Sequence, residues 1–351
     1  MEDIPNDDVT HMTGLGLESN FSTLGKERIF YYHRGIAGGK EIEKPVLVLL
    51  HGYPQSWRHI VPLLPKDIPL FIPDVRQIFL LPTSRIKLTK KPQVLGYGRS
   101  MGLHTPHGQR LTLQNMMGRL SGHFPPTRDS LNTPIIIVGH DRGARLCHRM
   151  AVDVGLPTHN NKGGLNIVGA VFLDIVPTLV QFQSFSTPSS SVGTFHWPFL
   201  ANVDLATDMI KAYGGGKWVK MCIDRWRGKN DASLAKLQAN NAIEKYAEFF
   251  NKEPVVHASC DDYRSGSDED VRLQEKDQNA KKARKIDIDV LVLYSADYLG
   301  KRYDVKKVWE EWMGKGNLEV EQVGDGCGHF IAEEKPVETA AAILKFYNSI
   351  E

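Results

Sequence analysis

The residues best suited to chemistry are the five at 139–143, which read Gly-His-Asp-Arg-Gly. They follow an apolar run at 135–138 and precede a helix-like stretch at 144–154. Between a strand and a helix, a Gly-x-nucleophile-x-Gly pattern forms a sharp turn that exposes its central side chain at the edge of a sheet. The sequence therefore predicts Asp141 as a nucleophile; the alternative is an ordinary solvated aspartate in a turn.

An aspartate at this position indicates the type of reaction. Displacement at a saturated carbon by serine would leave an ether, which a water activated by histidine cannot cleave. Displacement by a carboxylate leaves an ester, which such a water can hydrolyse. Asp141 therefore predicts attack on a carbon–halogen bond or on an epoxide.

The partners of this nucleophile are expected later in the chain, in the order acid and then histidine. His329 follows the last predicted strand, at 318–323, and is the predicted base that takes a proton from water. Two aspartates could orient it: Asp174 directly ends the predicted strand at 167–173, and Asp297 follows the next strand. We prefer Asp174, with Asp297 as the alternative.

An oxyanion hole is predicted where His-Gly-Tyr-Pro at 51–54 follows a buried strand. The backbone N–H groups of Tyr53 and Arg142 would hold the oxygen that becomes negative when water attacks the ester. The motif by itself is a moderate signal, and its distance of some ninety residues from the elbow strengthens it.

The elements around these residues alternate between apolar strands and helices, which is typical of a mostly parallel, doubly wound α/β sheet. We predict strands at 28–34, 45–50, 70–73, 135–138, 167–173, 290–293 and 318–323. Residues 1–176 and 286–351 form the predicted core. Residues 177–285 contain helical patterns at 205–213 and 232–250 and form a predicted helical cap. A basic, proline-containing insertion at 77–95 interrupts the core.

Composition excludes several classes of function. The formal charge of +2 over 351 residues is too small to indicate nucleic acid or an anionic membrane surface as a partner. No apolar run approaches the roughly 20 residues that span a bilayer, and the polar N-terminus is not a secretory signal. Four scattered cysteines argue against a zinc site and fit a cytoplasmic protein.

Several segments together resemble a known family, the aspartate-nucleophile α/β hydrolases, which include epoxide hydrolases and dehalogenases. The closest likeness is to the fluoroacetate (haloacetate) dehalogenases, and it extends over most of residues 28–347. It rests on LLHGYPQSW (49–57), GYGRS (96–100), GHDRGARLCHRMAVD (139–153), FLDIVPT (172–178), FHWPFL (195–200), CDDYRSG (260–266) and GCGHF (326–330).

The resemblance implies an α/β-hydrolase fold with an inserted helical cap, no metal or organic cofactor, and a homodimer. It also implies that Arg142 and Arg145 bind a substrate carboxylate, as guanidinium groups three residues apart on one helix can do. The matching acid is Asp174. The implied pocket for the departing halide is formed by His196, Trp197 and Tyr263.

Three functions follow as alternatives. The first is hydrolytic dehalogenation of a short 2-haloacid. The second is epoxide hydrolysis, which calls for two tyrosines; Tyr263 is one, and Tyr213 or Tyr246 the other. The third is an inactive hydrolase fold that only binds a ligand. The insertion at 77–95 has no counterpart in the family and is either a surface loop or retained intron sequence.

Overall fold

A computed structural model describes residues 6–24, 27–36, 44–73, 94–95, 101–102, 133–154, 166–281 and 283–350. The predicted insertion at 77–95 lies outside the described residues, apart from its last two. The motif at 96–100 lies wholly outside the described residues.

One mixed sheet occupies the centre of the molecule, in the order β10-β9-β8-β7-β3-β4-β2-β6-β5, with β1 paired to β2. Pairing is parallel from β10 to β4 and antiparallel at β2 and its neighbours. This confirms the mostly parallel α/β-hydrolase sheet. The strands are β1 (Glu18–Leu24), β2 (Glu27–Arg34), β3 (Val46–Leu50), β4 (Leu70–Pro73), β5 (Val94–Leu95), β6 (Met101–Gly102), β7 (Pro134–His140), β8 (Asn166–Leu173), β9 (Asp289–Ser295) and β10 (Leu318–Val323).

Helices cover both faces of this sheet and fill the interval between β8 and β9. Those before and after that interval are α1 (Asn6–Gly14), α2 (Arg142–Asp153), α12 (Val305–Glu310), α13 (Ile331–Glu334) and α14 (Pro336–Ile350). The interval itself contains α3 (Thr178–Gln183), α4 (Pro188–Gly193), α5 (His196–Ala201), α6 (Val203–Tyr213), α7 (Gly215–Trp226), α8 (Asp231–Leu237), α9 (Ala242–Phe250), α10 (Glu253–Ser265) and α11 (Val271–Asn279).

The apolar strands are buried on both sides. In β3 every residue is buried; Val46, Val48 and Leu50 pack into one core cluster, and Leu47 and Leu49 pack into the other. Successive side chains of a strand point to opposite faces, so a strand that is apolar throughout needs helices on both faces. The continuous apolar runs in the sequence therefore specified a doubly wound sheet.

The helices α3–α11 occupy the place in the chain where the sequence predicts a cap. They have an apolar cluster of their own, in which Trp218 and Phe250 pack with Tyr53 of the core. The predicted single helical stretch at 232–250 is wrong in one respect: it is two helices. Asn240 and Asn241 adopt positive φ angles of 57° and 55° between them, a conformation that asparagine tolerates better than most residues.

No helix in the described part of the chain is long and apolar enough to cross a lipid bilayer.

Candidate active site

The turn between β7 and α2 has the backbone that the elbow motif predicts. Asp141 adopts φ 47° and ψ −116°, a strained conformation for a residue other than glycine. Gly143 is required for close approach, because a Cβ there would overlap the Leu50 carbonyl oxygen. A Cβ on Gly52 would lie 2.6 Å from the Asp141 Cβ. The two glycines therefore let β3 and the elbow meet around Asp141.

The Asp141 carboxylate is buried but lines a cavity between the core and the cap. Its Oδ2 accepts a hydrogen bond of 2.9 Å from the backbone N–H of Tyr53, and its Oδ1 lies 3.8 Å from His329 Nε2. Burial raises the pKa of Asp141, but the charges of His329 and Arg145 and the Tyr53 hydrogen bond outweigh burial and leave this pKa below its ordinary value. Asp141 is therefore a carboxylate at neutral pH.

The imidazole of His329 is oriented by Asp174. Asp174 Oδ2 lies 2.7 Å from His329 Nδ1, and its Oδ1 accepts a hydrogen bond of 2.8 Å from Ser295 N–H. Asp297 instead accepts from Gly326 N–H at 2.8 Å and pairs with a lysine. The structure thus brings Asp174, and not Asp297, to the histidine. This leaves His329 Nε2 on the side of Asp141, 3.8 Å from Oδ1.

A second histidine, His140, holds the backbone of His329 through a hydrogen bond. His140 Nε2 lies 2.9 Å from the backbone carbonyl oxygen of His329. Burial and the nearby His329 lower the pKa of His140 to about 3, so its imidazole is neutral and donates this hydrogen bond. His140 therefore fixes the backbone from which His329 reaches the cavity.

The two arginines of α2 have different surroundings. The Arg142 guanidinium is buried, binds both carboxylate oxygens of Asp262 at 2.5 and 2.7 Å and does not line the cavity. The Arg145 guanidinium lines the cavity, donates to Val176 O and Thr178 Oγ1, and lies 4.3 Å from the ring centre of Trp197. Among the described residues, no carboxylate lies within 4.0 Å of Arg145.

The residues implied as a halide pocket lie together in the cavity wall. The ring centres of Trp197 and Tyr263 are 5.3 Å apart, and those of His196 and Tyr263 are 5.9 Å apart. Burial lowers the pKa of His196 to about 3, so it is a neutral imidazole. The indole, phenol and imidazole groups supply donors without adding positive charge.

The family model described as the alpha/beta hydrolase family matches residues 47–342. This span includes the elbow, His329 and the helices between β8 and β9. The chain belongs to the alpha/beta hydrolase family.

Two curated relatives of this alpha/beta hydrolase are enzymes. It is 24% identical over 311 residues to the fluoroacetate dehalogenase of Burkholderia sp, covering 86% of each chain. It is 26% identical over 307 residues to the soluble epoxide hydrolase of Corynebacterium sp. (strain C12), covering 86% of this chain and 89% of the relative. The family and these relatives make the protein a hydrolase and favour an enzyme over the inactive alternative.

Solved structures agree with this fold. A protein from Nostoc sp PCC 7120, provisionally assigned by its name to the alpha/beta hydrolases, is 27% identical with a TM-score of 0.71, and the match covers 94% of this chain and 97% of that one. The epoxide hydrolase CorEH has a TM-score of 0.67 at 22% identity, with 95% and 100% of the chains covered. The second likeness concerns the fold alone.

The structure adds cavity-lining residues that the sequence did not single out. They are Gln181, Thr194, Trp226, Tyr298, Leu299 and Arg302. Tyr298 and Arg302 follow the carboxyl end of β9, and ligands of open α/β sheets bind at that end of the strands. This rule could have selected the loop after β9 of this hydrolase. The cap residues depend on how helices pack and had no such signal.

The two tyrosines proposed as partners of Tyr263 lie elsewhere. Tyr213 is 54% exposed, and Tyr246 is buried away from the cavity. Tyr298 lines the cavity instead, with its ring centre 5.4 Å from that of His329. Among the described residues, two tyrosines therefore line the cavity of the hydrolase: Tyr263 in α10 and Tyr298 after β9.

Proposed function

We propose that this hydrolase removes halide from a short 2-haloacid through an ester on Asp141. Asp141 Oδ1 attacks the carbon beside the substrate carboxylate, a carbon–oxygen bond forms, and the carbon–halogen bond breaks with release of halide. Water then attacks the ester carbonyl carbon, and the products are a 2-hydroxyacid, a proton and the restored aspartate.

The observation that carries this proposal is the buried guanidinium of Arg145 beside the nucleophile. Burial and the charge of Arg142 lower the pKa of Arg145 to about 10, which still leaves it charged at neutral pH. A buried guanidinium that has no carboxylate within ion-pair distance is costly, and a substrate carboxylate would supply such a close partner. The neighbouring Asp141 loses its own charge in the ester, so Arg145 then has the substrate carboxylate as its counter-ion.

The carboxylate-binding role belongs to Arg145 in this proposal and not to the Arg142 side chain, which Asp262 already neutralises. The backbone N–H of Arg142 keeps its proposed place in the oxyanion hole with that of Tyr53. Because Tyr53 N–H already holds Asp141 Oδ2, the same contact can stabilise negative charge on this oxygen when water attacks.

His196, Trp197 and Tyr263 would solvate the departing halide. Fluoride is a strong hydrogen-bond acceptor and a poor leaving group, so neutral N–H and O–H donors aimed at it lower the barrier to its departure. The name of the Burkholderia relative, fluoroacetate dehalogenase, supports a 2-haloacid substrate at the level of a distant homologue. His329, oriented by Asp174, is the proposed base for the hydrolytic step.

The ester intermediate provides the test. We expect a His329→Ala variant incubated with chloroacetate to gain the mass of one carboxymethyl group, located on the peptide that contains Asp141. The double variant His329→Ala/Asp141→Asn is the matched control and should gain nothing. The wild type should release chloride and, in water labelled with heavy oxygen, incorporate label into Asp141. Halide release without label in Asp141, or no turnover of any haloacid, contradicts the proposal.

Epoxide hydrolysis is the second candidate, because Tyr263 and Tyr298 both line the cavity and could donate to an epoxide oxygen. The name of the Corynebacterium relative, soluble epoxide hydrolase, supports it equally. A panel of fluoroacetate, chloroacetate and styrene oxide, with halide and diol as the products measured, separates the two. Diol without halide would favour the epoxide.

A further inference from the structure

Arg302 lies at the open end of the cavity. It belongs to the loop that follows β9 and precedes α12. Of the described residues that line the cavity, Arg302 is the one exposed to solvent; the others are buried or half-buried. A substrate that enters past this residue would meet its guanidinium before it meets Asp141.

The charge of Arg302 is held in place but is not neutralised. Its guanidinium carbon lies 4.2 Å from the ring centre of Tyr298, and Nε donates to the Tyr298 carbonyl oxygen at 3.3 Å. No carboxylate of the described residues lies within 4.0 Å of it, whereas the adjacent Lys301 pairs with Asp297 at 2.8 Å. Of these two neighbouring cations, Lys301 is paired with a carboxylate. Arg302, which faces the cavity, has no carboxylate within 4.0 Å among the described residues.

The field of Arg302 extends into the cavity. Burial chiefly lowers the pKa of His196; Asp141 opposes this, and the charges of His329 and, to a smaller extent, Arg302 lower this pKa further. Arg142, by contrast, is neutralised by Asp262. Buried Arg145 and exposed Arg302 are thus two guanidinium groups that line the cavity with no carboxylate within 4.0 Å among the described residues.

We propose that Arg302 is a specificity-determining residue. It attracts a carboxylate substrate into the cavity, where the carboxylate then binds Arg145. The inference rests on the proposed carboxylate substrate. Stacking on Tyr298 keeps the guanidinium in one orientation, so little side-chain freedom is lost when it binds an anion. A charge at the mouth of a cleft raises the local concentration and association rate of oppositely charged ligands, and salt weakens this effect.

The test compares Arg302→Gln with Lys301→Gln, which removes the same formal charge one residue away from the cavity. For chloroacetate at low ionic strength we expect Arg302→Gln to raise KM about five-fold with little change in kcat. We also expect it to flatten the decline of kcat/KM with added salt. Lys301→Gln should match the wild type in both respects. A wild-type KM and salt dependence in Arg302→Gln would overturn the proposal.

Binding of acetate, followed by calorimetry, separates this inference from the proposed reaction. Acetate carries the carboxylate but no leaving group. Weaker acetate binding in Arg302→Gln than in Lys301→Gln supports the role of Arg302 even if no haloacid is turned over, in which case only the proposed reaction fails. Equal acetate binding in the wild type and both variants, or none in any of them, overturns the role of Arg302.

Discussion

At the scale of single residues, two arginines on one helix show how surroundings determine a role. Arg142 and Arg145 have the same chemistry and lie three residues apart, yet Arg142 is bound to Asp262 and Arg145 lines the cavity. Sequence spacing places both on one helix face but does not reveal which one meets a carboxylate of the protein. Arg145 is therefore the residue with which to test substrate charge.

Arg145→Gln should lower kcat/KM for chloroacetate by about a hundredfold, because a hydrogen-bonded charge pair with the substrate carboxylate is lost. Any turnover of styrene oxide, which has no charge, should change far less. Arg145→Lys keeps the charge but loses the forked geometry, so it should recover only part of the activity. Steady-state kinetics on both substrates check this, and an unchanged KM for chloroacetate in Arg145→Gln would count against the proposed substrate.

The choice between the two candidate acids gives a second prediction. Asp174→Asn should lower kcat roughly a thousandfold, since an amide favours the wrong tautomer of the base at Nδ1 of His329. Asp297→Asn, in a solvent-accessible loop, should stay within about threefold of the wild type. Comparable losses in both variants, measured as halide release, would mean that Asp174 does not orient the base.

At the scale of elements, an ion pair joins the turn at Asp141 to the helices between β8 and β9. Arg142 begins α2, and its partner Asp262 lies in α10 of the cap; Asp270, next to α11, lies 3.8 Å from the same guanidinium. The ion pair therefore connects the elbow of the core to two cap elements. Its carboxylates hold the pKa of Arg142 above the ordinary value, although burial opposes this.

Breaking this connection should destabilise the protein. Asp262→Asn leaves a buried guanidinium with less compensation, and we expect a loss of about 2–4 kcal/mol in the free energy of unfolding. Glu269→Gln removes an exposed pair with Arg272 and should cost less than about 1 kcal/mol. Urea unfolding of the two variants checks the difference, and equal stabilities would show that the buried pair does not hold the cap and core together.

At the scale of the whole molecule, buried neutral histidines set the response to acid. Burial lowers the pKa of each of three histidines to about 3, against an ordinary value of about 6.5; they are His140, His148 and His196. Between these values the unfolded chain binds protons that the folded protein does not. The stability that these neutral histidines contribute to the folded protein is therefore fully present above about pH 6.5 and is lost as the pH falls towards 3.

Unfolding at pH 5 should accordingly take up about two to three protons per molecule. Buried Glu333, whose pKa is raised by burial and by Glu334, opposes this by releasing a proton when the chain unfolds. The free energy of unfolding should decrease from about pH 6.5 to pH 5. Urea titrations at several pH values measure both quantities, and a stability independent of pH in this range would contradict the buried neutral state of the three histidines.

Seven of the ten strands and the elbow could be predicted from the sequence, because they depend on local patterns, whereas β1, β5 and β6 were not predicted. Continuous apolar runs specify buried parallel strands, and the glycines at 139 and 143 specify the turn at Asp141. Strand β10 was predicted with its exact bounds of Leu318–Val323, and the fold order singled out His329. The helix break at Asn240 was not foreseen, because asparagine only tolerates the left-handed conformation and does not require it.

Which side chains face each other could not be predicted from the sequence and became clear from the packed fold. In the fold, Asp174 lies beside His329 and Arg142 forms an ion pair with Asp262. Tyr298 and Arg302 lie in the cavity wall. Each of these contacts joins residues far apart in the chain, and its distance depends on how strand ends, loops and cap helices pack. The physical reason is that periodicity and motifs encode local conformation, whereas the pairing of charges depends on the packing of the whole molecule.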